Sequence, residues 1–359
     1  MNRRWKFSVV VVACLLSLTF TSAPAVAATS TVDSKNPNVI LLMLDGVRWQ
    51  EVFRTDKTGL IFKHLFQDYL SEGRIFGNVD KDQAMTVSNS ALLSLPAYQS
   101  IMSGETQPCS GNGCGRIGAE TFQERAVTEL KLDRTQVATI ASWDKIPNAV
   151  EHVEGATFVN AAYDKLSDGT ADAEFDAINE AQVKDPAPWD GARFDRYTWA
   201  HSMHFLKKHH PRFMFISFDD SDEWGHKNEW ENYLSSLRQY DDWIHELIQT
   251  LKGMGEYGAH TTLIITTDHG RGDDSMWGQH GWPWPESKYI WLYVRPAPAS
   301  VTPQYFQNFN DDGISEAKFS HVDIRPTIEA ALGLAPHTCE GCGHAIPRAL
   351  PQVLSSFRL

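Results

Sequence analysis

The chain has 359 residues, with 32 Lys and Arg against 45 Asp and Glu, and a formal net charge of −13 at pH 7. This acidic balance argues against a protein that binds nucleic-acid duplexes through a basic surface, so any phosphate ligand would need another source of positive charge. The hydrophobic fraction of 42% allows a substantial core and excludes disordered and collagen-like classes.

The first 27 residues have the pattern of a secretory signal peptide. A basic start is followed by an apolar stretch over residues 9–20, too short to span a membrane, and by the small-residue cleavage site Ala25-Val26-Ala27. Cleavage would leave residues 28–359 with a net charge of −16. We expect a periplasmic or secreted protein that forms a single domain, because no repeat, linker or later membrane-length apolar run follows.

Four cysteines remain beyond the signal peptide: Cys109, Cys114, Cys339 and Cys342. An even number in an exported protein favours disulfides, and the sequence leaves three pairings open. A structural zinc site with four cysteine ligands is the alternative, because one pair has the spacing C-x₂-C.

Alternating apolar runs and helical patterns organise the chain. Nearly continuous apolar runs predict strands buried on both faces, as in a parallel sheet, at Asn38 to Leu44, Gln136 to Trp143, Phe213 to Phe218, Thr261 to Thr267 and Tyr289 to Val294. Helical patterns occur at Ser94 to Met102, Arg196 to His210, Glu229 to Lys252 and Asp323 to Leu332. This order predicts an α/β fold around a mainly parallel sheet.

Metal-binding side chains follow several of these strands. They are Asp45, then Asp219, Asp220, Asp222 and His226, then Asp268 and His269, and finally His280 in a Gly-rich loop. Active residues of parallel sheets gather at the carboxyl ends of strands. A mixture of aspartate and histidine is typical of zinc, whereas an oxygen-only calcium site would not need three histidines. The set predicts a metal site, although each residue alone could belong to a turn.

Ser94 stands directly before a predicted helix whose first turn contains Pro96. A hydroxyl at a helix amino end lies where an oxyanion is favoured. An ordinary N-cap serine is the alternative. A metal ion close by would favour the nucleophile, because it lowers the pKa of the hydroxyl.

The order of these motifs resembles the alkaline phosphatase superfamily, particularly its phosphodiesterase and nucleotide pyrophosphatase branch, with sulfatases and phosphomutases as related branches. The matching pieces span residues 38–333 and are Val39 to Arg48, Ser94-Leu95-Pro96 with Ser103-Gly104, Asp222-Glu223-Trp224-Gly225-His226, Thr267-Asp268-His269-Gly270, Gly278-Gln279-His280-Gly281 and Val322 to Ile328.

The resemblance implies a three-layer α/β sandwich with two divalent metal ions, zinc in most branches and manganese in the mutase-like one. Asp45, Asp268, His269 and the Ser94 oxygen would hold one ion, and Asp222, His226 and His280 the other. It also implies a covalent mechanism in which Ser94 attacks phosphorus and water hydrolyses the phosphoseryl intermediate. Asp219 and Asp220 would then cap the strand or support the ligands from outside.

Two departures from the family's patterns bear on the substrate. Sulfatases of the superfamily have Arg four residues after the nucleophile, but this chain has Tyr98, which argues against a dedicated sulfatase. The loop Cys109 to Arg116 offers Asn112 and Arg116 as hypothetical contacts for the phosphoryl group. Both could equally be ordinary turn and surface residues.

The remaining aromatic and histidine clusters have simpler interpretations. Trp230 and Trp243 fit the apolar face of a helix, whereas Trp224, Trp277, Trp282 and Trp284 lie in loops where they could wall a substrate pocket. Four histidines, His201, His204, His209 and His210, cluster towards the end of the helix predicted over Arg196 to His210. We interpret this cluster as a solvated helix end and not as a third metal site.

The sequence therefore predicts an exported two-metal hydrolase of small phosphate esters, either a phosphodiesterase or a phosphomonoesterase. The alternatives are a sulfatase-like enzyme, a phosphoryl or headgroup transferase, and a metal-dependent binding protein without turnover.

Overall fold

The computed structural model describes residues 36–301 and 318–351. The predicted signal peptide, residues 1–27, lies outside the described residues, and the single domain over residues 28–359 stays a prediction. In the described part, the strands are β1 (Asn38–Leu44), β2 (Thr55–Asp56), β3 (Gly59–Leu60), β4 (Arg74–Phe76), β5 (Met85–Thr86), β6 (Val137–Ala141), β7 (Phe158–Ala161), β8 (Phe213–Phe218), β9 (Thr261–Thr266), β10 (Tyr289–Ile290), β11 (Leu292–Arg295) and β12 (Phe319–Ser320).

The α-helices of the same part alternate with these strands. They are α1 (Trp49–Phe53), α2 (Ser94–Ser103), α3 (Phe122–Leu130), α4 (Pro147–Val150), α5 (Ala173–Lys184), α6 (Asp195–His209), α7 (Asp220–His226), α8 (Trp230–Gly253), α9 (Gly255–Ala259) and α10 (Ile324–Ala331).

A seven-stranded sheet in the order β4-β11-β9-β1-β8-β6-β7 forms the centre of the fold. Strand β1 pairs in parallel with β8 and β9, and β6 pairs in parallel with β8 and β7. Only β11 runs antiparallel to its neighbours β4 and β9 in this sheet. The predicted α/β fold with a mainly parallel sheet is confirmed.

The prediction of one strand over Tyr289 to Val294 is wrong, because the chain changes sheets at Trp291. Strand β10 pairs with β5 in a small second sheet, whereas β11 joins the central sheet. The Trp291 side chain is fully buried, and its Nε1 donates to the Val47 carbonyl at 3.1 Å. Burial of this large ring anchors the crossing point beside the loop that follows β1.

Both faces of the central sheet are covered by helices. Alternate residues of β1 point to opposite faces, so that Val39 belongs to one apolar cluster and Ile40 to the other. The first cluster includes side chains of α2, α3 and α10, and the second includes side chains of α6 and α8. This arrangement gives three layers and explains why β1 is buried along its whole length.

Two disulfides join neighbouring cysteines, Cys109 to Cys114 and Cys339 to Cys342. The disulfide prediction is therefore confirmed, and the alternative of a four-cysteine zinc site is wrong. Across residues 36–301 and 318–351, no helix combines the length and the apolar character that a membrane span requires.

The histidine group on α6 differs from its prediction at one position. His204 and His209 are partly exposed, as predicted. The Nε2 atom of His204 lies 2.9 Å from Asp172 Oδ2, and that of His209 lies 2.8 Å from Asp168 Oδ2. His201 is instead fully buried, and neither of its ring nitrogens has a hydrogen-bond partner. The prediction of a solvated group is wrong for His201 because this residue lies on the face of α6 that packs against the core.

We expect His201 to make the protein sensitive to mild acid. Burial, with the nearby Arg193 charge, lowers the pKa of His201 to about 3. Between the ordinary pKa of about 6.5 and this value, the unfolded chain binds a proton that the folded protein does not, so stability falls as pH falls. From pH 7.5 to 5, the free energy of unfolding should drop by about 2 kcal/mol more in the wild type than in His201→Leu. Urea unfolding at both pH values measures this difference, and equal drops would contradict the assignment.

Candidate metal centre

The carboxyl ends of three neighbouring strands bring the predicted ligands to one edge of the sheet. Strands β9, β1 and β8 lie side by side, and all three run in parallel. Asp45 directly follows β1, Asp219 directly follows β8, and Asp268 stands two residues after the end of β9. Helix α7 begins at Asp220 and carries Asp222 back over this edge.

One group of donor atoms consists of Asp45, Asp268 and His269, whose ligand atoms all lie within 4.8 Å of one another. The Nε2 atom of His269 lies 3.6 Å from Asp45 Oδ1 and 3.4 Å from Asp268 Oδ2. All three residues are buried. Two carboxylates and one imidazole around a common point form a donor set that suits zinc.

A second group consists of Asp222, His269 and His280 and meets the same distance limit. His280 Nε2 lies 3.8 Å from Asp222 Oδ1, and the rings of His269 and His280 stack at a centroid distance of 3.9 Å. His226 Nε2 lies 2.8 Å from Asp222 Oδ2 and 3.2 Å from His280 Nε2. His269 belongs to both groups, so the two candidate positions adjoin.

The carboxylate oxygens of the first group fit a bound cation. Asp45 Oδ1 and Asp268 Oδ2 are buried, and neither has a hydrogen-bond partner. A buried polar atom without a partner is costly, and a divalent ion would satisfy both oxygens. The aspartate and histidine donors of both groups therefore fit two divalent ions of the zinc type, and manganese accepts similar ligands.

The electrostatics of the site point the same way. Burial and the charges of Asp268 and Asp222 raise the pKa of Asp45 well above its ordinary value. Burial and the Asp222 charge raise the pKa of Asp268 to about 7. Burial lowers the pKa of His269 to about 4 and holds that of His280 well below its ordinary value. Neutral imidazoles beside mutually repelling carboxylates form the environment that a bound cation relieves.

Ser94 meets this edge at the first residue of α2. Its side chain is buried, and its Oγ lies 3.2 Å from Nε2 of His269, the residue shared by both donor groups. The preceding Leu92 has a positive φ of 52°, and its carbonyl lies 3.2 Å from His280 Nδ1. The turn before α2 thus contacts one predicted ligand through its backbone while Ser94 faces another.

Tyr98, the residue that departs from the sulfatase pattern, also points into this region. It is fully buried one turn after Ser94, and its hydroxyl donates to Asp45 Oδ2 at 2.8 Å. The same hydroxyl lies 3.0 Å from Ser217 Oγ on β8. Tyr98 therefore orients Asp45 and occupies one of its oxygens, which leaves Oδ1 for the metal side.

Asn112 and Arg116 lie in different surroundings. Asn112 Oδ1 accepts the backbone N–H of Leu95 at 3.0 Å, which places the amide next to Ser94. Arg116 Nη1 donates to the Pro147 carbonyl at 2.7 Å, and its guanidinium also pairs with Glu151. The structure brings Asn112 to the candidate site but does not bring Arg116 there, because acceptors on another segment hold its guanidinium.

The tryptophans predicted to wall a pocket have different surroundings. The predicted loop position is wrong for Trp224, which lies in helix α7 and packs edge-on against Trp189 at 5.0 Å. Trp277 packs against Trp230 at 4.8 Å. Trp282, two residues after His280, is 77% exposed. Two of the four predicted pocket residues therefore serve local aromatic packing, and Trp282 faces solvent.

Arg271 is a site residue that the sequence analysis missed. It is almost fully buried, and it contacts the Asp222 carboxylate and three backbone carbonyls of ligand-bearing loops. The flanking residues Gly270 and Gly272 suggested only an ordinary loop. The one feature of the sequence that could have indicated a role for Arg271 is its position two residues after the Asp268-His269 pair.

Comparison with known proteins identifies the fold. Residues 151–283 match the family model described as Metalloenzyme superfamily, a span that contains Asp222, His226, Asp268, His269 and His280. A 2-O GAG sulfatase aligns with 87% of this chain and 73% of its own, with a TM-score of 0.57 and 13% identity. The chain has the fold of the alkaline phosphatase superfamily.

Two further structures share this superfamily fold. The lipoteichoic acid synthase LtaP from Listeria monocytogenes aligns over 84% of this chain and 73% of its own, with a TM-score of 0.54 and 13% identity. The phosphonate monoester hydrolase of Agrobacterium radiobacter aligns over 88% and 77%, with a TM-score of 0.54 and 14% identity. No curated protein matches the chain.

The predicted resemblance is therefore confirmed at the level of the superfamily fold. The Metalloenzyme match is a likeness over residues 151–283, the part of the chain that contains most of the candidate metal ligands. The superfamily neighbours include a sulfatase, a synthase and a hydrolase, so they leave the reaction open.

Proposed function

We propose that this protein is an exported, metal-dependent hydrolase of small phosphate esters that uses Ser94 as its nucleophile. One observation carries the proposal: Ser94 Oγ, at the amino end of α2, lies 3.2 Å from Nε2 of His269, a residue that belongs to both donor groups. A nucleophile within reach of two adjoining metal positions is the arrangement that in-line displacement at phosphorus requires.

The ligand assignment starts from the two donor groups. It places the shared His269 with the first ion, because one imidazole nitrogen has a single lone pair, and it adds His226, which contacts Asp222 and His280, to the second ion. Asp45, Asp268, His269 and the Ser94 oxygen would hold one divalent ion, and Asp222, His226 and His280 the other, with zinc preferred and manganese possible. When bound, the ions supply the positive charge that the acidic chain lacks, lower the pKa of the Ser94 hydroxyl and stabilise charge on the phosphoryl oxygens. The net charge of −13 is therefore compatible with an anionic substrate.

The proposed reaction has two steps, formation of a phosphoserine and its hydrolysis. Ser94 Oγ loses its proton to solvent and attacks phosphorus, so that a new O–P bond forms while the ester O–P bond breaks. The leaving alcohol takes a proton from water. A second water attacks the phosphoserine, releases phosphate or a phosphomonoester and returns Ser94.

Two neighbouring side chains support this reaction in the proposal. Asn112 uses its carbonyl oxygen to accept the Leu95 N–H, which leaves its amide N–H₂ as a donor for a phosphoryl oxygen. Tyr98 holds Asp45 in position throughout. Arg116 takes no part, since its guanidinium is held by Pro147 and Glu151.

Export is also part of the proposal. The signal-peptide pattern over residues 1–27 and the two disulfides support a periplasmic or secreted location. Tyr98 supports phosphate over sulfate esters, because it stands where sulfatases of the superfamily have an arginine.

A substrate panel tests the proposed reaction. The zinc-loaded protein should hydrolyse bis-p-nitrophenyl phosphate or p-nitrophenyl phosphate at least about 10²-fold faster than p-nitrophenyl sulfate, a difference of about 2.7 kcal/mol in transition-state stabilisation. Phosphate-ester turnover no faster than sulfate turnover would contradict it.

The same assay separates hydrolysis from transfer. An alcohol such as glycerol is added, and the products are followed by phosphorus NMR. Free phosphate or phosphomonoester should dominate at millimolar alcohol. A glycerol phosphoester as the main product would instead identify a transferase.

A further inference from the structure

Arg271 connects the loops that carry the predicted ligands. Its Nε donates to the Gly46 carbonyl at 3.2 Å, next to Asp45, and its Nη1 donates to the Gly278 carbonyl at 2.7 Å, two residues before His280. Its Nη2 donates to the Asp222 carbonyl at 2.9 Å and contacts the Asp222 carboxylate. Arg271 itself stands two residues after His269 in the sequence.

The backbone around Arg271 leaves a slot for its guanidinium. A Cβ atom at Gly46 would lie 3.0 Å from Arg271 Nε, and a Cβ at Gly225 would clash with Arg271 Cζ. Gly46 also has a positive φ of 64°, which any other residue would adopt only with strain. The close approach of these two glycines lets a single side chain reach helix α7 and two separate loops.

The contact with Asp222 also fixes the direction of its carboxylate. Arg271 Nη2 contacts Oδ1, the oxygen that lies 3.8 Å from His280 Nε2, whereas Oδ2 lies 2.8 Å from His226 Nε2. A carboxylate held at Oδ1 by a guanidinium keeps its two oxygens directed at His280 and His226. Because the guanidinium is planar and its donors are directional, lysine cannot reproduce four such contacts.

We propose that Arg271 is a positioning residue for the second metal position, fixing the Asp222 carboxylate as a ligand and holding the His280 loop against it. This inference rests on the proposed metal centre, which it deepens. Two effects of opposite sign compete at this position. The guanidinium charge repels a dication, whereas the four directed contacts arrange the ligands in advance. The proposal is that the arrangement of the ligands dominates.

Zinc titration of the metal-stripped protein by calorimetry distinguishes the two effects. In Arg271→Met, one of the two zinc ions should bind about 10- to 100-fold more weakly, as expected when a residue that orients a ligand is lost, while the other stays within about 3-fold. Arg271→Lys keeps the charge and should show the same selective loss. Unchanged or tighter binding of both ions in Arg271→Met would overturn the proposal.

Arg325→Met serves as the matched control. Arg325 is buried and donates to the carbonyls of Ser103 and Glu120 while it pairs with Glu329, so its loss removes a similar set of contacts away from the metal centre. Its zinc affinities should stay within about 3-fold of wild type. A selective loss in this control too would mean that any buried arginine has this effect, which also overturns the proposal.

The wild-type titration separates this inference from the proposed function. If the wild type binds fewer than two zinc ions, both the metal centre and the role of Arg271 fail. If the wild type binds two zinc ions and Arg271→Met binds both with the same affinities, only the proposed role of Arg271 fails. Should Arg271→Met not fold, as judged by circular dichroism, Arg271→Lys carries the test alone with the same expected selective loss.

Discussion

Replacing Ser94 by alanine should lower phosphate-ester turnover by about 10⁴-fold, because removal of a nucleophile leaves only the remaining electrostatic stabilisation and binding. Ser94 Oγ is buried beside His269 Nε2, and the alanine methyl group fits the same space. Stability should therefore change little, and the three remaining ligands of the first ion, Asp45, Asp268 and His269, should still hold it in zinc-loaded protein. Steady-state kinetics of the two proteins, both loaded with zinc, measure the effect.

Covalent trapping shows whether the loss concerns the nucleophile itself. Wild type quenched in acid during turnover of a ³²P-labelled ester should carry label on Ser94, and Ser94→Ala should carry none. Ser100→Ala is the matched control: Ser100 is fully buried on the same helix, but its hydroxyl donates to the Pro96 carbonyl. It should retain label and turnover, and label on Ser94→Ala would place the nucleophile elsewhere.

Stripping the metal with a chelator should lower turnover by at least about 10³-fold, and zinc should restore it. Without cations, Asp45 and Asp268 keep buried oxygens without partners, and the Ser94 hydroxyl keeps its proton near neutral pH. The protein should also be less stable, because an ion at 1,000 times its dissociation constant stabilises the folded state by about 4 kcal/mol.

The chelation experiment uses activity and thermal unfolding in parallel. Turnover and the unfolding temperature should fall together when the metal is removed and recover together when zinc is added. Manganese should restore activity in part. A control with calcium should restore neither, because the imidazole donors suit zinc and not calcium. Full activity in the stripped protein would contradict a metal-dependent mechanism.

The central strands could be predicted from the sequence because burial on both faces leaves a continuous apolar run. This holds for β1 and β8, whose predicted and observed bounds agree. Edge strands β4 and β7, of three and four residues, were missed, because so short a segment has no clear period. The change of sheets at Trp291 depends on contacts with Val47, far away in the sequence.

The ligand types could be predicted because a parallel sheet gathers the residues that follow its strands. The supporting contacts could not, since they join residues distant in sequence. Tyr98 reaches Asp45 across 53 positions, and Arg271 reaches Gly46 across 225. Arg116 likewise reaches the Pro147 carbonyl across 31 positions. No local pattern encodes such pairings.

The count of metal ions per chain tests the two-metal assignment most directly. Elemental analysis of zinc-loaded protein after removal of free metal should give two ions for the wild type. His280→Ala should give one, because it removes a ligand of only the second ion, and His269→Ala should also give one, because it removes a ligand of only the first. Two ions in each of the three proteins, or fewer than two in the wild type, would contradict the assignment.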